Sequence, residues 1–261
     1  MEDYNECLDF AKKIALNAGK IMGEFFYAKE QKVLFKEDRT PVTEADRLIN
    51  EYVIDQVKRN FPTHSVDGEE LKSIKDSKYV WVVDPIDGTS MFTRHVPVSV
   101  FSLALVVDGE VMVGVVYDPF LDEMYTAVKG KGAFLNNKPI HVNNKEYGEL
   151  GSSIDICMWN NAKYDTLKLF EEIRTNNKTC QLGSTAHASM LVARGVISAE
   201  IFPGTEHGNC DMAASTLIVS EAGGKVSNFK GEDQRYDTDI DGCLLSNGIV
   251  HDKILSLIKK L

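Results

Sequence analysis

The chain has 261 residues, 43% of them hydrophobic, with 39 acidic against 29 basic residues and a formal charge of −10. That length and apolar content support a substantial core, in one large domain or two closely packed ones. The negative balance disfavours nonspecific binding to nucleic acid or to an anionic membrane, although bound cations would let an anionic small substrate in. Five cysteines without a C-x-x-C pair argue against a disulfide framework or a zinc ribbon and suit a reducing, cytoplasmic compartment. The acidic start Met1-Glu2-Asp3 lacks the layout of a secretory signal, and no apolar run is long enough to span a bilayer.

Leu8, Ala11, Ile14, Ala15, Ala18, Ile21, Met22 and Phe25 recur at helical spacing and predict a long amphipathic opening helix. The charged stretch 29–39 contains Val33-Leu34-Phe35 and predicts a short hairpin or mobile loop, in which Lys36 reads as a solvated lysine. Thr43-Glu44-Ala45-Asp46 has the form of a helix N-cap, for a helix running through Ile49, Val53 and Val57 to about Asn60. Asp46 there suits the helix dipole. Gly68-Glu69-Glu70, taken alone, reads as a solvated acidic pair.

Val80-Trp81-Val82-Val83 predicts a strand buried on both faces and ending at Asp84. Pro85 fixes φ and removes a donor, and Asp87-Gly88 permits a tight bend. Two carboxylates are thereby held at the end of a core strand. That arrangement suits hard cations, and equally an ordinary Asp-Gly turn. Residues 98–107 and 110–117, joined by Asp108-Gly109, predict a hairpin. Residues 124–128 and 139–142 predict further strands, broken by Gly130, Gly132 and Asn136-Asn137. The first half thus reads as two helices and an antiparallel meander, an α+β arrangement.

The second half alternates. Strands are expected at 153–158, 179–182, 200–202, around Val226 and at 243–246. Helices are expected at 163–174 with Leu167, Phe170 and Ile173 inward, after Gly183-Ser184-Thr185, at 212–222 opened by Asp211 and stopped by Gly223-Gly224, and at 249–261. The halves divide at residues 1–146 and 147–261, the second completing the site of one compact unit.

Glu69, Asp84, Asp87 and Asp211 fall at strand ends, turns or helix starts, where a rigid scaffold presents ligands. Asp84 could bridge two cations, with Asp87 and Asp211 on one side and Glu69 on the other, and the Ile86 carbonyl suits a hard cation too. Two cations about 3.5–4 Å apart can clamp the attacking and leaving oxygens of a phosphoryl displacement. Gly88-Thr89-Ser90 could offer N–H groups to a phosphate, and Gly183-Ser184-Thr185 before a helix is a second anion-facing start. The absence of a Walker motif and of G-x-S-x-G weakens kinase and serine-hydrolase readings.

Asp84-Pro85-Ile86-Asp87-Gly88-Thr89 with Phe92, Gly68-Glu69-Glu70 upstream and Asp211-Met212-Ala213-Ala214 downstream resemble the inositol monophosphatase family. These are magnesium-dependent, typically lithium-sensitive phosphomonoesterases. The likeness runs from Thr43 through Gly224. It implies the layered αβαβα sandwich shared with fructose-1,6-bisphosphatase, often as a homodimer, with two or three Mg²⁺ ions for which Mn²⁺ can substitute. By this resemblance Glu69, Asp84 and the Ile86 carbonyl hold one Mg²⁺, and Asp84, Asp87 and Asp211 a second. Glu70 and Lys36 lie by a weaker third ion or its water network. Thr89, assisted by Asp46, orients and helps deprotonate the attacking water, with Glu70 also in the catalytic set. Phosphate lies on the Gly88, Thr89 and Ser90 amides, bordered by Ile86, Asp87 and Asp211. Gly183-Ser184-Thr185 contacts the sugar-like ring, and Glu206 is the best match for a glutamate that binds substrate hydroxyls.

Three features depart from the family pattern: Met91 where a polar residue is common, Cys210 where tryptophan is common, and a somewhat lengthened 202–209 segment. The expected function is Mg²⁺-dependent hydrolysis of a small phosphorylated polyol or sugar, with inositol 1-phosphate the leading substrate. Fructose 1,6-bisphosphate, histidinol phosphate and 3′-phosphoadenosine 5′-phosphate are the alternatives. A non-catalytic regulatory relative, such as a partner of transcription machinery, could keep the same fold. The presence of all four acids with Thr89 and Asp46 argues against that.

Overall fold

The apolar stripe of the opening segment forms helix α1 (Asn5–Phe26), which buries Ala11, Ile14, Ala15, Ala18 and Met22 on one face. The computed structural model describes residues 4–28, 33–36, 40–159 and 161–261. Within the 29–39 stretch, residues 29–32 and 37–39 lie outside the described residues. The remainder forms strand β1 (Val33–Phe35), which pairs antiparallel with β2 (Pro41–Thr43) as a hairpin. Helix α2 (Glu44–Asn60) follows directly. Its capping box is reciprocal: the Asp46 N–H donates to Thr43 Oγ1, and the Thr43 N–H donates to Asp46 Oδ2 at 2.7 Å.

The first sheet is built from β3 (Ser65–Gly68), β4 (Lys72–Ser73), β5 (Tyr79–Asp87), β6 (Val100–Val107), β7 (Glu110–Asp118), β8 (Glu123–Val128), β9 (Ala133–Leu135) and β10 (Lys138–Pro139). A one-turn helix, α3 (Thr89–Phe92), leaves the end of β5. The strand order is β10-β9-β8-β7-β6-β5-β3-β4. The expected hairpin turns at Asp108-Gly109, both with positive φ.

Two expectations for this half need correction. The strand expected at 139–142 is instead the tight hairpin β9–β10, turning through Asn136 and Asn137 at φ 47° and 62°. Beyond it the chain leaves the sheet, and the Val142 N–H bonds to Ala222 O at 3.1 Å. The meander is also not purely antiparallel, because the unforeseen strand β3 pairs in parallel with β5.

The second half contributes β11 (Ser153–Ile156), α4 (Leu167–Ile173), β12 (Lys178–Cys180), α5 (Thr185–Ala193), β13 (Ala199–Phe202), α6 (Gly208–Glu221), β14 (Lys225–Ser227), β15 (Cys243–Ser246) and α7 (His251–Ile258). Its five strands run in the order β12-β11-β13-β15-β14. Helix α4 starts four residues after the expected 163, because Lys163 is tied to Gly204 and Asp239 while the Thr166 hydroxyl bonds Cys157 O. Leu169 and Ile173 face inward, and Leu167 is 55% exposed. Helix α6 begins at Gly208, ahead of Asp211, with His207 in the left-handed region as its N-cap.

Helices α1 and α2 cover one face of the first sheet, through Ile14, Met22, Ile49 and Val53 against Trp81, Val83 and Leu103. Helices α5 and α6 fill the space between the two sheets, meeting Val82, Ala104 and Val116 on one side and Phe202 and Leu245 on the other. Helices α4 and α7 close the far face of the second sheet. The layers therefore read α-β-α-β-α. No helix among the described residues is long and apolar enough to cross a membrane.

Helix α6 approaches β7 so closely that a Cβ on Gly114 would stand 2.8 Å from Ala214 O. Gly114→Val is therefore expected to lower stability by about 1–3 kcal/mol. Urea unfolding with the m-value monitored would measure it.

Candidate active site

Parallel pairing of β3 with β5 brings two carboxyl-terminal strand ends to one edge of the sheet. Gly68 is opposite Val83, so Glu69 emerges beside Asp84, and the Glu69 N–H bonds Val83 O at 3.1 Å. The turn after Glu69 is held by buried Asn50 of α2. Its Oδ1 accepts from the N–H groups of Glu70 and Leu71 at 3.2 and 3.0 Å, and its Nδ2 donates to Leu71 O at 3.1 Å. The Asn50 amide lies so close that any Cβ on Gly68 would clash with it. Nothing in the sequence marked Asn50 except its position one turn after Asp46.

Pro85 interrupts the ladder of β5, and the register against β6 shifts between Asp84 and Asp87. Asp84 Oδ1 accepts the Ile86 N–H at 2.9 Å. Asp87 accepts from the Ser184 hydroxyl, from the Ala186 N–H at 2.9 Å and from the Thr185 N–H at 3.3 Å. Asp211 stands in the first turn of α6. One carboxylate oxygen from each of Asp84, Asp87 and Asp211 falls within 4.8 Å of the other two.

Asp84 and Asp87 are only 2% and 5% exposed. Burial, then the charges of Glu69, Asp87 and Asp211, hold the Asp84 carboxyl well above its usual range. Asp211 is likewise held well above, by burial and then by Asp87 and Glu69. Burial pushes Asp87 up to about 6, opposed by its hydrogen bonds from Ser184 and Ala186. Three convergent carboxylates that repel one another and offer only oxygen donors fit a hard divalent cation.

Lys36 is not the solvated loop lysine expected. Its Nζ bridges Glu69 Oε1 at 2.7 Å and Glu70 Oε1 at 2.5 Å. Burial works against the Lys36 charge, but Glu69 and Glu70 outweigh it and raise the pKa. Glu70 is itself raised, by burial and then by Glu69.

Thr89 opens α3 behind Gly88, whose φ of 86° lets the chain turn sharply; a Cβ there would meet Ser184 Cβ at 2.8 Å. The Thr89 hydroxyl lies 2.9 Å from Ile86 O and 3.4 Å from Asp46 Oδ1. Asp46 is fully buried, and burial raises it to about 7 against the hydrogen bonds from Thr43. The N–H groups of Thr89 and Ser90 head this turn and have no acceptor among the described residues.

These groups surround one cavity of about 730 Å³, lined by Lys36, Glu69, Glu70, Asp84, Ile86, Asp87, Gly88, Thr89, Ser90, Gly183, Glu206 and Asp211. Three expected residues are not on its wall. Asp46 lies behind Thr89. Ser184 and Thr185 are 2% and 0% exposed and turn to Asp87, so they hold a carboxylate where contact with a sugar-like ring was expected. The wall also holds Met158, Trp159 and Asn161, which sequence reasoning missed, and Thr205 and His207 of the lengthened 202–209 segment. Trp159 packs edge-on against Phe202 at 5.9 Å. A lone tryptophan after a strand carried no signal of its own.

The model of the inositol monophosphatase family matches residues 3–261. This chain belongs to that family. It is accordingly a phosphomonoesterase acting on small phosphorylated substrates. A Thermotoga maritima protein named fructose-1,6-bisphosphatase/inositol-1-monophosphatase is 31% identical, covering 97% of this chain and 96% of its own. A Chlorobaculum parvum histidinol-phosphatase is 30% identical, with 96% of each covered. The solved structure of a Thermotoga maritima IMPase superposes with a TM-score of 0.87 at 29% identity, over 98% of this chain and 97% of that one.

Two departures from the family pattern are accommodated by packing. Met91 fills the space beside Gly183, where a Cβ would lie 2.4 Å from its methyl carbon. Cys210 is buried, and its thiol is 3.7 Å from Asp67 O.

Ser184→Ala is expected to weaken divalent-cation affinity about 10–100-fold with little change in Tm, because it removes a donor that orients Asp87. Calorimetric titration with Mg²⁺ alongside thermal unfolding would check both. Asp46 also makes a stability prediction. An aspartate in an unfolded chain titrates near 4, so between pH ~4 and ~7 the folded chain keeps a proton that the unfolded chain has released. This stabilisation is complete below the lower limit and lost as pH rises through the upper one. Asp46→Asn should remove that part of the decline in metal-free Tm against pH.

Proposed function

We propose that this chain hydrolyses a small phosphate monoester of a polyol or sugar in a Mg²⁺-dependent reaction, with inositol 1-phosphate the preferred substrate. The observation that carries this reading is the convergence of the Asp84, Asp87 and Asp211 carboxylates within 4.8 Å beside a cavity with Thr89 on its wall. Asp84, Asp87 and Asp211 would hold one Mg²⁺, and Glu69, Asp84 and the Ile86 carbonyl another. A third ion would lie by Glu70 and Lys36, and Mn²⁺ could replace Mg²⁺. Bound there, the ions supply Lewis-acid activation of water and neutralise charge on the phosphoryl group.

The chain's own residues do the rest. The Gly88, Thr89 and Ser90 N–H groups cradle phosphate oxygens. The Thr89 hydroxyl aligns the attacking water and accepts its proton while passing its own to Asp46 Oδ1. Glu70 keeps Lys36 in place at the cavity edge. Glu206 and Gly183, with Trp159, border the alcohol. No phosphoenzyme is required. Lithium inhibition, a homodimer and a cytoplasmic setting complete the proposal.

Charge supports a monophosphate of an uncharged alcohol. Among the described residues lining the cavity, Lys36 is the one lysine or arginine, and it is already paired with two glutamates. A second phosphate, as in fructose 1,6-bisphosphate or 3′-phosphoadenosine 5′-phosphate, would find no further fixed cation there. Histidinol phosphate is the second reading, because Glu206 on the cavity wall would favour its ammonium group.

Phosphate release from these four esters, ranked by kcat/KM with and without Mg²⁺, is the test. Inositol 1-phosphate should rank first and require the cation. No release from any of the four would overturn the proposal. Asp87→Asn should abolish turnover while leaving circular dichroism nearly unchanged. Glu206→Gln should change the ranking of esters rather than Mg²⁺ affinity. As pH falls below about 7, protonation of Asp46 should cost activity, and Asp46→Asn should flatten that limb of the pH profile.

A further inference from the structure

A second set of ligand-type side chains lies away from the cavity wall, between the second sheet and α5. Asp155 of β11 and Glu200 of β13 are register partners in parallel strands. Cys157, two residues after Asp155, shares its face. A carboxylate oxygen of Asp155, the Cys157 sulfur and a carboxylate oxygen of Glu200 all fall within 4.8 Å of one another. The three residues are 1%, 3% and 0% exposed.

The surrounding hydrogen bonds account for Asp155 but not for Glu200. Asp155 Oδ2 accepts the Leu182 N–H at 3.0 Å, and the Cys157 thiol is 3.9 Å from Asp155 Oδ1. Glu200 Oε2 accepts from the Ser189 hydroxyl, whereas the buried Glu200 Oε1 receives no hydrogen bond from any described residue. Burial, then Asp155, raises Glu200 well above its usual range. Two buried acids and a thiol with no cationic side chain among them can all ionise only beside a positive partner.

We propose that Asp155, Cys157 and Glu200 form a separate, structural metal site for Zn²⁺ or a similar borderline transition-metal dication. Ligand softness sets the choice. The cavity cluster is all oxygen and suits Mg²⁺, whereas a sulfur ligand beside two carboxylates disfavours Mg²⁺ and suits zinc. On binding, Cys157 releases its thiol proton, and Asp155 and Glu200 any carboxyl proton they hold, to solvent; the sulfur lone pair forms the metal–sulfur bond, with no change of oxidation state. The half-buried Cys180, opposite Asp155 on β12, marks the side nearest solvent. The ion would tie β11 to β13 directly behind Thr185, whose N–H holds Asp87 and whose hydroxyl is 3.9 Å from the Cys157 sulfur.

The test uses the full chain, stripped with a chelator, saturated with Mg²⁺ and then titrated with Co²⁺. A near-ultraviolet thiolate-to-cobalt charge-transfer band should grow to one Co²⁺ per chain, with a rise in Tm. Asp84→Asn should keep the band and Cys157→Ser should lose it. Glu200→Gln should weaken Co²⁺ binding about tenfold or more. Absence of the band in folded wild type, or an unchanged band in Cys157→Ser, would overturn the site. Should Cys157→Ser not fold, an unaltered Co²⁺ affinity in Glu200→Gln would overturn it instead.

Discussion

Repulsion between like charges is the constraint around which this molecule is arranged. Asp84, Asp87 and Asp211 would separate if free, yet each is pinned by a rigid element. The Ile86 N–H holds Asp84, the amino end of α5 holds Asp87, and the first turn of α6 carries Asp211. Hydrogen bonds to a carboxylate favour its charged form, and burial disfavours it. The balance differs at each position: Asp87, with several donors, rises only to about 6, and Asp84 rises further. A cation bound among them would let all three remain ionised together.

The layering follows from the same need. Helices α5 and α6 must pack on both sheets at once while their amino ends reach the carboxylates at the end of β5. They are consequently buried on nearly every side, where α1 has a single apolar stripe. Gly114 on β7 is the matching concession in the sheet, since only a missing side chain admits α6 at that distance.

Much of this was legible from local pattern. The α1 stripe, the Thr43 cap, the Asp108-Gly109 hairpin and the Asp84–Thr89 turn each carry their information within a few residues. What was not legible depends on partners distant in the chain. Strand β3 has too short an apolar run to announce itself, yet its parallel pairing sets Glu69 beside Asp84. Lys36 looked solvated because its two partners lie more than thirty positions away. Ser184 and Thr185 were expected to face a ligand, and only the stacked sheets reveal that they face Asp87. Asp155 and Cys157 did carry a sign: polar side chains alternating with Ile154 and Ile156 in a strand buried on both faces.

The hydrogen bond from Ser184 to Asp87 spans 97 positions of sequence. Contacts of that span close late in folding, after local hairpins and helices have formed. A nascent chain on the ribosome can therefore complete its first sheet and still lack a working centre, because α5 and α6 have yet to be synthesised. Catalytic competence waits for α5 and α6, so the enzyme is born latent and becomes a hydrolase only after both have emerged.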